Sequence, residues 1–277
     1  MCKLFGVMKS SYYYGLKPKP ISLETVKTKA LICQIFNDSN RSAGARSIVV
    51  ILMNEHNIKL SRYMVGKLMA QMRLKSCQLK THKYKHADEA HKTHNNILNR
   101  NFSPSAPNEV WTGDVTYIRI KGGWCYLAVV LDLYARRIVG FAVSDSPDSV
   151  LTAKALQMAY NSRLKPNGVL FHSDQGTHYT SARFAESVAS CEGMIQSMSR
   201  SGNCWDNAPT ERFFRSFKTE WMPKGGYENI AKAKSAIVDY IWGYYQTVRP
   251  HSFNDYLTPL AKEKRYFNQN LLSGVLN

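Results

Sequence analysis

At 277 residues, with 44% hydrophobic and 12% aromatic content, the chain is long enough for two domains with ordinary cores, and it is too apolar to be disordered throughout. Its net charge of +17 is uneven: residues 1–100 hold 18 Lys and Arg against 5 Asp and Glu, and residues 101–277 hold 19 against 15. A basic front half predicts a polyanionic partner, the plainer reading being a basic surface kept for solubility. The six cysteines are scattered, with no C-x-x-C pair, so they read as reduced thiols rather than a disulfide framework or a zinc cluster. The longest apolar run, Tyr126 to Leu131, stops at Asp132 and is too short to span a bilayer. No signal peptide precedes it. A soluble, cytoplasmic protein with no membrane partner is expected.

Residues 1–15 read as a short helix, a turn at Gly6 and a second short helix, as if the chain began inside a helix-turn-helix module. Pro18 and Pro20 break any helix there. Three apolar stripes at helical spacing follow. Val26, Ala30, Ile32, Cys33, Ile35 and Phe36 form the first. Ile48, Val49, Ile51, Leu52 and Met53 form the second, after a turn at Gly44. Val65, Leu68, Met69 and Met72 form the third, started near Ser61. Basic residues fall on the polar sides, so residues 1–75 are expected to be a small helical DNA-binding domain with Arg46, Arg62 and Lys67 on DNA. A generic basic helical domain gives the same pattern.

Residues 76–103 lose periodicity and hold four of the eight histidines, His82, His86, His91 and His94. No paired cysteines or acids complete a closed zinc site. The expectation is a basic linker lying along phosphates, with Lys83 and Lys85 as contacts. Ser103-Pro104-Ser105-Ala106-Pro107-Asn108 closes it. Residues 104–265 then form a second domain, and 266–277 a C-terminal tail.

In that domain, Val110 to Ile120, Trp124 to Asp132 and Arg136 to Val143 are β-branched and aromatic, an antiparallel meander turning first at Lys121-Gly122-Gly123. A helix over Ser149–Ser162 follows, then a short strand ending at Asp174, a helix over Ser181–Cys191, a brief strand over Met194–Met198, a loop, and a helix carrying Glu211. Three strands, helix, strand, helix, strand, helix is the order of a ribonuclease-H-like α/β fold. It places Asp114 on the first strand, Asp174 just past its neighbour, and Glu211 on the helix packed across them. Three carboxylates at one edge repel one another unless cations are present. Mg²⁺ or Mn²⁺, two ions in a site of this kind, would suit their hard oxygens.

Val110-Trp111-Thr112-Gly113-Asp114-Val115-Thr116-Tyr117, Trp124 to Asp132 with Arg136-Arg137-Ile138-Val139-Gly140, His172-Ser173-Asp174-Gln175-Gly176, Ser197 to Ala208 and Arg249-Pro250-His251-Ser252 occur in this order. Through them the chain closely resembles the second-reading-frame transposases of the bacterial insertion sequence three family. Those are DDE recombinases with a retroviral-integrase-like core. The resemblance covers nearly the whole chain and lays the family's catalytic and metal-binding acids on Asp114, Asp174 and Glu211. It implies cleavage at element ends and strand transfer, double-stranded DNA as end and target, homo-oligomers on paired ends, and fusion to or action with an upstream-frame product. It also implies a place on the bacterial nucleoid. A nuclease of the same fold that never joins, or an inactive DNA-binding relative, remains the alternative. There are two departures. Between Asp174 and Glu211 lie 36 residues, one more than is usual there, the extra one falling before Ser197. Arg212 also stands where the family commonly has Ser.

Glu211, Arg215 and Lys218 share a helix face. Arg215 and Lys218 read as phosphate contacts beside the scissile bond, an ordinary Glu–Arg surface pair being the other reading. Asp132 reads as a support for the sheet or a turn, Asp206 as a helix cap, and His172 and His178 as packed or hydrogen-bonding side chains. Glu220 lies too far along the helix to join the acids. Ser199 to Asn203 reads as a mobile loop or a plain connector. Tyr244, Tyr245, Arg249, Pro250 and His251 read as a structural lock or a DNA contact.

Overall fold

The computed structural model of the chain describes residues 2, 4–6, 8–16, 22–77, 94–200 and 204–275. Residues 4–6 form a turn, with Gly6 at positive φ, and helix α1 (Lys9–Leu16) follows it. The expected helix before Gly6 is absent among the described residues. Ser22 caps α2 (Leu23–Asp38) by accepting from the Thr25 N–H, and Ser61 caps α4 (Arg62–Gln71) by accepting from the Met64 N–H. Such hydroxyls satisfy donors that have no partner in the first helical turn. Between them α3 (Ala45–His56) ends at Asn57 in the left-handed conformation, which asparagine tolerates better than most residues.

Ile32 and Phe36, Ile48 and Leu52, and Val65 and Leu68 close the core of this module. Val26, Ala30 and Met53, expected on the stripes, are exposed. A three-helix bundle this small buries only one narrow face of each helix.

The second half is built on a five-stranded sheet in the order β3-β2-β1-β4-β5. Strands β1 (Val110–Ile120), β2 (Gly123–Asp132) and β3 (Arg137–Ser144) form the expected antiparallel meander. Strand β4 (Leu170–Ser173) runs parallel to β1, and β5 (Ile195–Met198) parallel to β4. Helix α5 (Ser149–Ser162) makes the crossover, started by Asp148, which accepts from the Leu151 N–H. α6 (Thr177–Thr180) and α7 (Ala182–Ala189) link β4 to β5.

A 3-10 turn (Cys204–Asn207) leads into α8 (Ala208–Glu220), where Pro209 occupies the first turn and loses no hydrogen bond there. α9 (Ile230–Val238), a π-helical stretch (Asp239–Tyr245) and α10 (Pro259–Val275) complete the chain.

The sheet is covered on both faces, so the interior strand β2 is buried continuously from Leu127 to Asp132. α5 and α7 cover one face against Trp111, Ala128 and Val130. On the other, Phe213 and Phe217 of α8, Ile237 of α9 and Tyr240 pack on Ile118, Leu127 and Leu131. Gly140 lets α5 approach β3 closely, since a Cβ there would run into the Ala155 carbonyl and Ala159.

The module docks on this second face. Asn40 Nδ2 donates to the Glu220 carbonyl at 3.2 Å, the Ser42 and Tyr244 hydroxyls lie 3.4 Å apart, and Val248 packs against both cores. Residues 94–103, read from the sequence as the end of the linker, lie on the catalytic half. Leu98 is buried there, and the Ile97 and Leu98 N–H groups both donate to Ser197 Oγ, at 2.9 and 3.3 Å.

Candidate active site

The parallel register of β1 and β4 pairs Thr112 with His172. Two residues further along the chain in each case stand Asp114, within β1, and Asp174, one residue past the end of β4. Side chains repeat every second residue and adjacent strands lie about 4.8 Å apart, so the backbone itself brings these two acids together. Each is oriented by a backbone N–H close by in its own segment. Asp114 Oδ1 accepts from the Val115 N–H at 2.7 Å, and Asp174 Oδ1 from the Gly176 N–H at 3.0 Å. Gly113 is needed beside Asp114, because a Cβ there would come 2.5 Å from Phe171 Cζ and 3.0 Å from the Tyr179 hydroxyl.

α8 is fixed to β1 at two places. The buried hydroxyls of Thr112 and Thr210 lie 2.7 Å apart, and Asn207 Nδ2 donates to the Gly113 carbonyl at 3.0 Å. Glu211 follows Thr210 and so enters the site from the helix. Burial pushes the Asp114 carboxyl well above the usual carboxylate range, and the charges of Asp174 and Glu211 push it further. The Val115 N–H and the Lys218 ammonium act the other way. Lys218, in the last turn of α8, is itself lowered by burial and supported by Asp114. Its Nζ lies 5.7 Å from the ring of Tyr117, which is exposed beside Trp124.

Asp114, Asp174, Glu211 and Lys218 therefore share one electrostatic neighbourhood, with Arg215 half-buried on the same helix. The free carboxylate oxygens are hard donors of the kind Mg²⁺ and Mn²⁺ take. Unrelieved repulsion at Asp114 is the state a cation would correct. Among the described residues no three His, Cys, Asp or Glu side chains lie close enough together to enclose a metal ion. The donor chemistry fits an open site rather than a closed cage.

Other readings fall where expected or need correction. Asp132 supports a turn, accepting from the Asn108 and Tyr134 N–H groups, and Glu220 pairs with Arg249. His172 is buried with its two ring nitrogens against Ser197 and Ser199. His178 packs on Tyr179 with Nε2 buried and unpartnered, and burial lowers its pKa while the nearby Asp174 raises it.

Asp206 is not a helix cap. It lies one residue before the N-cap position, and its carboxylate accepts instead from Asn96, Arg100 and Arg200. Asn207 holds that position but uses its amide on Gly113. Neither role was readable from sequence, because Asn96, Arg100 and Gly113 are about a hundred residues away, Arg200 alone being close in the chain. Arg62 and Lys67 are exposed on α4, and Arg46 is exposed on α3. Lys83, Lys85, His82, His86, His91 and most of the Ser199–Asn203 loop lie outside the described residues.

Residues 104–204 and 192–259 match models described as an integrase core domain, and residues 24–82 match an HTH-like domain. The insertion element IS600 uncharacterized 31 kDa protein of Shigella sonnei is 34% identical over 96% of this chain and 98% of its own length. The transposase for insertion sequence element IS904 of Lactococcus lactis is 36% identical over 90% of this chain and 98% of its own. The HTLV-2 integrase catalytic core, solved in complex with magnesium, is 18% identical over 57% of this chain and 98% of that one, with a TM-score of 0.41. That overlap transfers no geometry. The helical module, the strand order and the relatives agree, and the chain belongs to the transposases of the insertion sequence three family, with an integrase-type catalytic core.

Proposed function

We propose that Asp114, Asp174 and Glu211 are the catalytic residues of a polynucleotidyl transferase that cleaves DNA at insertion-element ends and joins them to new DNA. The observation that carries this reading is the β1–β4 register, which sets Asp114 and Asp174 level while the charge of Glu211 reaches Asp114. The three carboxylates would hold Mg²⁺ or Mn²⁺, two ions in our reading. Mg²⁺ binds through few carboxylates and keeps waters and substrate phosphate oxygens in its shell, which suits an open site. Bound there, the ions supply positive charge to the attacking and leaving oxygens of an in-line displacement.

The chain's own contribution is positional. The Val115 and Gly176 N–H groups fix one oxygen of each aspartate and leave the other free to point into the site. Lys218 sets a cation next to Asp114, and with Arg215 it holds the non-bridging oxygens of the scissile phosphate. Water attacks first, one P–O bond replacing another, and a 3′-hydroxyl leaves. That hydroxyl then attacks a second phosphodiester by the same exchange, so one site serves both steps.

Double-stranded DNA runs back over the module, where Arg62 and Lys67 contact phosphates, and along Lys83 and Lys85. A second copy on the paired end and an upstream-frame product complete the assembly, in the cytoplasm at the nucleoid. No helix among the described residues is long and apolar enough to cross a membrane.

The test is Glu211→Gln in a Mg²⁺-dependent cleavage assay on duplexes carrying the element ends. Cleavage is expected to fall at least about a hundredfold, as when a ligand to a catalytic metal is lost, with duplex affinity retained. A wild-type cleavage rate in the variant would overturn the assignment. A strand-transfer assay with a pre-cleaved end accompanies it, and products shortened but never joined would reduce the activity to that of a nuclease.

A further inference from the structure

A cavity of about 480 Å³ opens where the helical module meets the catalytic half. Arg46 at the start of α3 faces it from the module. Arg136 from the β2–β3 turn, Arg212 from α8, and Arg249 with His251 face it from the core. Among the described residues, no Asp or Glu lines it. Of these arginines only Arg249 has a carboxylate partner among the described residues, Glu220 at 2.6 Å. Arg136 is buried, donates to the Leu133 and Phe102 carbonyls at 3.1 and 2.9 Å, and lies 3.8 Å over the Phe253 ring. Those hydrogen-bond partners are neutral, and the Asp132 carboxylate that supports its charge stands outside the lining of the cavity. Arg46 and Arg212 stand exposed at the mouth.

His251 Nδ1 is buried without a hydrogen-bond partner. Burial lowers its pKa to about 3, helped by the charges of Arg249, Arg136 and Arg212, so three cationic charges reach this ring.

Like charges around a partly enclosed space repel one another, and the low dielectric makes the repulsion costlier. An oxyanion among them reverses the sign of each term and meets guanidinium groups, whose planar forks suit phosphate. The cavity has room for a phosphate group with ordered water around it. Its position relative to the acids is fixed by α8. Successive helical residues point about 100° apart, so Arg212 and Ser216 face the cavity while Glu211 and Lys218 face Asp114. DNA held by the module and leading to the acids would pass this flank of the helix.

We propose that the cavity is a phosphodiester site, in which Arg46 of the module and Arg212 of α8 grip the same backbone phosphate of duplex DNA. The proposal rests on the transposase reading above and adds to it a contact shared by the two halves of the chain. The same chemistry would admit free inorganic phosphate, which the test separates.

The experiment measures full-chain binding to an unrelated duplex across a salt series, for the wild type, Glu211→Gln and the double variant Arg46→Gln/Arg212→Gln. Both arginines are exposed, so folding is not at risk, and thermal unfolding checks this. Each neutralised phosphate contributes about 0.9 to the slope of log affinity against log salt. One shared phosphate means that the double variant loses about one unit of slope and roughly tenfold in affinity, equally for duplexes of different sequence. An unchanged slope overturns the site, and so does a loss of about two units, which means two separate phosphates. Inorganic phosphate binding that the double variant abolishes, with the duplex slope unaltered, means an adventitious ion only and also overturns it. If the wild type and Glu211→Gln both fail to bind duplex, the transposase reading itself fails, an outcome distinct from the others.

Discussion

Asp206 gathers three residues onto one buried carboxylate. Asn96 Nδ2 donates at 2.8 Å, Arg100 Nε at 2.6 Å, and Arg200 donates through its backbone N–H at 3.0 Å and its guanidinium at 3.1 Å. Burial alone would push this carboxyl up, yet the hydrogen bonds from Arg200 and Arg100 overcome it and hold the group well below the usual carboxylate range. A depressed folded-state pKa contributes stability above the unfolded value of about 3.9, and that contribution is lost as pH falls below it. Asp206→Asn is therefore expected to cost about 2 kcal/mol at pH 7, less than for a fully buried pair because both arginines are half exposed. The gap to the wild type should shrink below about pH 4. Thermal unfolding of both proteins at neutral and acidic pH checks this, and a pH-independent gap would refute it. The three acids proposed as catalytic each stand in a short local pattern that sequence displays: a strand, a strand end and a helix start. The arginine clamp was not legible there, since Asn96 and Arg100 lie more than a hundred residues before Asp206 and nothing local marks their pairing with it.

At the scale of elements, the candidate active site lies at the seam between β1 and α8. The Thr112–Thr210 hydroxyl pair is buried on both sides, so removing one partner leaves the other unsatisfied, at a cost of about 1–3 kcal/mol. Thr112→Val and Thr210→Val should each destabilise by that amount, while the double variant should recover most of the loss. Chemical denaturation of the four proteins closes the cycle, and simple additivity would count against the pair. The element order and the three-stranded meander followed from the β-branched and aromatic runs and the Lys121-Gly122-Gly123 turn. The short α6 and the π-helical stretch Asp239–Tyr245 did not. α6 is only four residues long, too few to show a period, and a π turn departs from the 3.6-residue spacing on which helix reading depends.

For the whole molecule, the module and the catalytic half are joined by contact as well as by chain. Val248 belongs to both cores, and Asn40 and Ser42 reach Glu220 and Tyr244. Calorimetry should accordingly give one cooperative transition for the wild type. Val248→Asp, which sets an uncompensated charge into the shared seam, is expected to split it into two. A single transition in that variant would mean the halves are coupled elsewhere. The asymmetry of charge between the halves was visible in the sequence, but their docking was not, because its contacts join residues about two hundred positions apart. The two attachments of α8 to β1 bear on insertions and deletions in the chain. Glu211 is placed by Asn207 on Gly113 and Thr210 on Thr112, not by the length of chain from Asp174. The one-residue excess between those two acids is thus taken up upstream, and the triad is blind to it. A single residue inserted between Asn207 and Glu211, by contrast, would rotate the glutamate by about 100° out of the site.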